Sequence, residues 1–288
     1  MLKKRIIAVL VVRNGIVVQS IGFRRYLPIG KPEIAAEFLN QWGVDEIILL
    51  DISATLIGCK PDFAMVKKVA KLCHVPLTVG GGITSLNHIH DLMHCGADKI
   101  ALNQALLHQT SLLTDAAQVF GSQCVVASID ACAISKGHQV YDYRQRKTLA
   151  LTPWELAHRM QESGAGEVLI NSVDRDGMKG GYDFDLINQI FTAVKIPVIA
   201  CGGAGVPIHL LEVLEKTEVS AIAAANFFHF FEHSVTITKA LASQQYPVRH
   251  ETHALYRDNY IDEMGRLLKK DDKTLDELLY LKIEKEVI

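Results

Sequence analysis

Eight short apolar runs alternating with helix-length amphipathic segments, glycine-closed strand ends, and an internal repeat at an offset of roughly 120 residues predict an α/β chain. Its expected form is a (βα)8 TIM barrel built from two half-barrels, followed by a C-terminal helical extension. A chain of 288 residues suits one such barrel or two smaller domains, so length alone does not choose. The repeat does choose. Glu46–Leu50 matches Glu167–Asn171, Val79–Gly82 matches Ala200–Gly203, and Ile100–Asn103 matches Ile222–Ala225.

In chain order, strands are expected near Arg5–Val12, Glu46–Asp51, Pro76–Gly80, Lys99–Asn103, Cys124–Asp130, Glu167–Ser172, Pro197–Cys201 and Val219–Ala225. They are continuously apolar rather than alternating, as in a parallel sheet buried on both faces. The basic start Lys3-Lys4-Arg5 before Ile6–Val12 resembles a targeting signal. However, Arg13 and Asn14 end the apolar run and no small-residue cleavage site follows, so we read a first buried strand. Pro32–Leu39 and Pro153–Met160 carry apolar residues at helical spacing, and Thr152 with Glu155 forms a capping box around Pro153. The barrel is assigned to residues 1–248. Residues 249–288 are rich in charge, with Leu267, Leu268, Leu275, Leu278, Leu279 and Leu281 in a short amphipathic pattern; one or two helices are expected there, docking on the barrel or on a partner.

With 49% apolar residues and a net charge of −2, the chain lacks the basic excess of nucleic-acid or membrane-surface proteins. Small molecules or proteins are the expected partners. Six scattered cysteines without a CxxC pair fit a reduced cytoplasmic setting. No cofactor or metal is called for. His88, His90, His94 and Cys95 fall on one helical segment, and His229 and His233 share ligand spacing. No carboxylate set accompanies the first group, which reads as a solvated face, and the second lies in an aromatic run that reads as core.

In such barrels the reacting groups stand at the carboxyl ends of the strands. Gly81-Gly82 and Gly202-Gly203, with Asn103, Ala225 and Asn226 at neighbouring strand ends, offer backbone N–H groups that bind phosphate. The two positions are related by the repeat and suit a ligand phosphorylated at both ends; the plain alternative is that the glycines only permit tight turns. Asp130 is a carboxylate projected from an apolar strand, fit for general acid or base work, or else a structural cap. The repeat sets Val11 opposite it, where a second carboxylate would be wanted, and valine cannot transfer a proton. Asp51, Asn171, Asp174 and Asp176 are further candidates for contacting substrate. At the opposite strand ends stand Arg5, Glu46, Lys99 and Glu167, either an ion-pair ring across the barrel bottom or solvated residues whose pairs are worth about 0–1 kcal/mol.

Arg5-Ile6-Ile7-Ala8, Leu50-Asp51-Ile52, Val79–Ile83, Gly96–Lys99, Phe120–Gln123, Asp174–Gly177 and Ala200–Gly205 together resemble the cyclase subunit of imidazole glycerol phosphate synthase, the HisF family, over about residues 1–247. In that family, ammonia from a glutaminase subunit enters the barrel bottom and reacts at the mouth with a bisphosphate ribonucleotide. The resemblance implies that Arg5, Glu46, Lys99 and Glu167 gate the ammonia path and that Asp98 faces the glutaminase. It also marks two departures: Val11 stands where the family has a second catalytic aspartate, and Gln19 where it has a lysine of the first mobile loop. An intact entrance below an altered mouth is similar to HisF-like paralogues found with sugar amidation systems. Val12–Gly15 and Tyr26–Pro32 resemble them too. There the barrel and a glutaminase are expected to supply ammonia to a separate sugar amidotransferase.

Overall fold

The computed structural model describes residues 3–249, 260–263, 265–268, 271 and 273. Eight parallel strands form the barrel: β1 (Arg5–Arg13), β2 (Glu46–Asp51), β3 (Leu77–Gly80), β4 (Lys99–Leu102), β5 (Val125–Ile134), β6 (Glu167–Ser172), β7 (Val198–Cys201) and β8 (Ala221–Ala224). They neighbour one another in chain order, and β8 returns to β1 with Arg5 opposite Ala221 and Ala8 opposite Ala224, which closes the sheet. All eight expected strands are present.

Closure divides the apolar residues into two bodies. Ile7, Val9, Ile48, Ala101, Val126, Leu169, Ile199, Cys201, Ala221 and Ala223 fill the barrel interior. Alternate residues of the same strands, Ile6, Ala8, Ile47, Leu49, Ile100, Val125 and Ile170 among them, face outward and pack under the helices. This two-sided burial is why the strands read as unbroken apolar runs. The helices start where the sequence offers caps. Thr152 and Glu155 form the expected capping box at Pro153–Glu162, and Asp62 and Asp183 cap Phe63–Ala70 and Phe184–Ala193.

Two elements were not anticipated. After β1 the chain makes a hairpin of Ile16–Ile21 and Arg25–Gly30; after β5 it makes another from Gly137–Asp142 and Lys147–Thr148. They occupy equivalent places in the two half-barrels. The entry to the first was legible: Asn14-Gly15, with φ of 52° and 74°, is a two-residue turn of the kind that matches strand twist, and it folds Ile16–Ile21 back on β1 with Arg13 opposite Ile16.

At the barrel bottom the Lys4 amide donates to Pro247 O at 2.9 Å and Lys4 bridges Val248 in parallel. The helical expectation beyond residue 249 lies mostly outside the described residues. Among the described residues of that segment, Lys273 is helical, whereas residues 260–263 and 265–268 form a turn. Ile261 bridges Leu267, and Gly265 at φ 76° reverses the chain, so Leu267 and Leu268 do not lie on a helix face.

Candidate functional site

Inward side chains at the carboxyl ends of the strands enclose a cavity of about 170 Å³ lined by Val11, Leu50, Asn103, Asp130, Asn171, Asp176 and Cys201, among others. Asp130 sits in register with Asn171 on β6, and Asn103 Nδ2 donates to Asp130 Oδ2 and to Ser128 O, each at 3.0 Å. Burial pushes the Asp130 carboxyl up to about 7; Asn103 and Asn171 hydrogen bonds oppose the rise and the charge of Asp176 adds to it. A carboxyl that titrates near neutrality can both take and return a proton. Val11 stands in the same cavity and, like Leu50 and Ala225, packs on the apolar barrel interior, so the mouth pairs an acid with an aliphatic wall. Asn171 Oδ1 is buried in this wall without a hydrogen-bond partner.

The remaining carboxylates divide. Asp176 faces the cavity, and burial raises it to about 6 although Ser20 Oγ donates to it at 2.7 Å and the Phe23 amide at 3.3 Å. Asp51 lines the cavity wall but caps helix Ile52–Ile57, accepting from the Ser53 and Ala54 amides at 2.9 and 3.2 Å. Asp174 is exposed, accepts from the Ala133 amide at 2.6 Å, and is not part of the cavity lining.

Gly81, Gly82, Gly202 and Gly203 all line the cavity and all have positive φ, between 69° and 110°. A Cβ on Gly81 would stand 2.2 Å from Asp51 O, and one on Gly203 would stand 2.1 Å from Gly181 O. Packing against the neighbouring loops therefore demands glycine before any ligand is considered. Short helices, Gln104–His108 and Phe227–Phe230, follow the strand ends carrying Asn103, Ala225 and Asn226. The amide of Asn103 is spent on Asp130. That of Asn226 is spent on the first hairpin: its Oδ1 accepts from Ser20 N at 3.0 Å and its Nδ2 donates to Ser20 O at 2.5 Å. What these strand ends offer an anion is backbone N–H rather than side-chain amide.

The first hairpin thus lies across the mouth. At its turn Phe23 packs edge-on against Tyr141 and Tyr143 of the second hairpin region, at 6.2 and 5.8 Å between ring centroids, and the Tyr26 and Tyr143 hydroxyls are 3.3 Å apart. Gln19 stands opposite Leu27 within this hairpin. Sequence reasoning missed this aromatic clasp, since its members lie far apart in the chain and only the two hairpins bring them together.

At the other end of the barrel the four charged strand-start residues meet. Arg5 Nη1 lies 2.6 Å from Glu46 Oε1 and Arg5 Nη2 bonds Glu167 Oε1, while Lys99 Nζ is 3.3 Å from Glu46 and 3.0 Å from Glu167. Each carboxylate takes both cations, and the side chains are only 7–19% exposed, so these are not solvated residues. Burial works against the Arg5 charge, yet the two glutamates raise its pKa above the ordinary arginine value. Asp98, exposed on the same rim, accepts from Leu77 N at 2.8 Å and holds the start of β3. Asp45, not anticipated, does the same for β1 by accepting from Ile6 N at 2.7 Å, and it is paired at 2.8 Å with buried Lys239.

A family model described as histidine biosynthesis protein matches residues 5–234. The chain is 41% identical over 267 residues to a Vibrio vulnificus (strain YJ016) protein provisionally named imidazole glycerol phosphate synthase subunit hisF2, covering 92% of this chain and 98% of that one. It is 42% identical over 240 residues to imidazole glycerol phosphate synthase subunit HisF of Bacillus cereus (strain G9842), and 43% identical over 241 residues to HisF of Clostridium botulinum (strain Okra / Type B1). Each of these HisF matches covers 83% of this chain and 95% of the relative. A match spanning 92% of 288 residues must reach at least about residue 265, well into the extension, whereas 83% is about 239 residues, no longer than the barrel itself. On this likeness, and on the closed eight-stranded barrel that carries it, the chain belongs to the HisF family of imidazole glycerol phosphate synthase subunits.

Proposed function

We propose that this chain is the ammonia-receiving subunit of a glutamine amidotransferase pair. A glutaminase subunit docks on the bottom rim around Asp98, its ammonia passes the ring of Arg5, Glu46, Lys99 and Glu167, and it travels through the apolar interior to the mouth. A neutral molecule that size crosses an apolar barrel without the desolvation penalty that excludes ions, and a buried ring of paired charges is a selective way in. At the mouth the backbone of Gly81, Gly82, Gly202, Gly203, Ala225 and Asn226 is the seat for a phosphorylated small molecule, with Asn103, Asn171 and Asp176 flanking Asp130.

The observation that carries the finer reading is Val11. It faces the cavity that holds Asp130, and cyclisation needs an acid and a base. We read the barrel as a supplier of ammonia to a sugar amidotransferase, for acetamidino-sugar formation in surface polysaccharide, with little cyclase activity of its own. The match to the Vibrio relative beyond the barrel supports a separate branch of the family. A second reading is a working cyclase of histidine biosynthesis, favoured by the identity of 42–43% to proteins named HisF and by Asp176, a second buried carboxyl in the cavity. A third, an inert scaffold that only activates the glutaminase, would leave the interior path unused.

Turnover of the bisphosphate ribonucleotide with ammonium salts decides between the first two. We expect the natural chain to run about 10²-fold or more below Val11→Asp, the factor a missing acid or base typically costs. A natural chain as fast as its relatives would assign it to histidine biosynthesis.

A further inference from the structure

We propose that Tyr260–Leu268 of the C-terminal extension is a positioning element for the mouth, holding the first hairpin in place through Phe231, Phe227 and Asn226. The chain leaves the barrel at the bottom, where Val248 bridges Lys4, yet by Gly265 it lies against the opposite end. Gly265 is buried, and a Cβ there would stand 3.0 Å from Cγ and Cδ of Pro207 and 3.6 Å from Cζ of Phe231. Pro207 opens the helix that follows the Gly202-Gly203 loop, and Phe231 ends the short helix that follows β8, so both belong to the mouth rim.

The turn is braced internally. Besides the Ile261–Leu267 bridge, Arg266 Nε bonds Asp262 Oδ2 at 2.8 Å, and Leu268 N donates to Tyr260 O at 2.9 Å. It therefore presses on the rim as a preformed unit. From there contact runs inward without a gap. The Phe231 ring stacks on Phe227 at 5.4 Å and 29°, Phe227 is fully buried and lines the cavity, and its neighbour Asn226 pairs with both backbone groups of Ser20 in the hairpin. The described part of the extension around Gly265 thus bears on the mouth, where Val11 also stands. This inference does not depend on the proposed ammonia path, since it concerns only what holds the mouth closed.

Hydrogen exchange read by mass spectrometry on the full chain tests it. In Gly265→Val, whose side chain collides with Pro207, exchange in peptides covering residues 16–30 and 226–231 should rise about tenfold, while the helix at residues 86–94 on the far side stays unchanged. Phe231→Ala should reproduce this effect with the extension intact. Faster exchange confined to residues 260–268, or an equal rise everywhere, would overturn the proposal, as would protection of the hairpin in Phe231→Ala.

Discussion

Asn103 Nδ2 donates to Asp130 Oδ2 at 3.0 Å, tying the end of β4 to the acid whose counterpart in the repeat is Val11. The bond favours the charged form and so opposes the rise that burial imposes on Asp130. Asn103→Leu should therefore raise the Asp130 carboxyl further, by about one pH unit if the bond is worth about 1.5 kcal/mol. Carboxyl ¹³C titration of the labelled chain measures it directly. A downward move, or none, would mean that the amide does not hold the carboxylate.

The same burial makes stability depend on pH. With a folded value of about 7 against an ordinary 3.8, the native state binds the Asp130 proton more tightly than the unfolded chain does. Its contribution is present in full below pH 4 and is lost as pH rises through 7. Asp130→Asn removes this dependence. Relative to the variant, the natural chain should lose on the order of 4 kcal/mol between pH 4 and 8, read as diverging urea midpoints. Asp176, also raised by burial, is present in both chains and largely cancels in the difference.

Much of this site was legible in the sequence for a definite reason. Arg5, Glu46, Lys99 and Glu167 each begin an apolar strand, so naming the strands put them on one rim; that they pair as a ring rather than stand solvated is what the structure adds. Val11 and Asp130 followed from the repeat. What escaped depended on contacts between distant segments. The clasp of Phe23, Tyr26 and Tyr143 needs both hairpins, and the cap that Asp51 Oδ1 makes on the Ser53 and Ala54 amides shows only once the helix after β2 is placed. Likewise Gly81 and Gly203 suggested ligand approach, while the backbone of Asp51 and Gly181 already requires them.

Asp45 and Lys239 form a pair 1% and 6% exposed, 194 residues apart, whose carboxylate also accepts the Ile6 amide beside Arg5. Burial already raises the Asp45 pKa and Lys239 pulls it back. Lys239→Met should cost about 3–5 kcal/mol by stranding the carboxylate. Adding Asp45→Asn should return part of that loss, because the amide oxygen still accepts from Ile6. A single variant as stable as the natural chain in urea would show that the pair merely offsets its own desolvation.

The ring at the barrel bottom gives the sharpest functional contrast. Glu46→Gln leaves Glu167 alone to hold both Arg5 and Lys99, and partial exposure of the two cations limits the expected loss of stability to about 1–2 kcal/mol. The fold should survive, so activity can be read. In a pair reconstituted with the glutaminase and an acceptor enzyme, amide-¹⁵N glutamine competes with unlabelled ammonium in the medium. An intact entrance keeps product nitrogen mostly labelled, because ammonia released at the bottom rim reaches the mouth before it mixes with solvent. In Glu46→Gln or Lys99→Ala the labelled fraction should fall severalfold while use of external ammonium stays constant. A labelled fraction that neither substitution moves would remove the conduit and leave the ring as a structural brace.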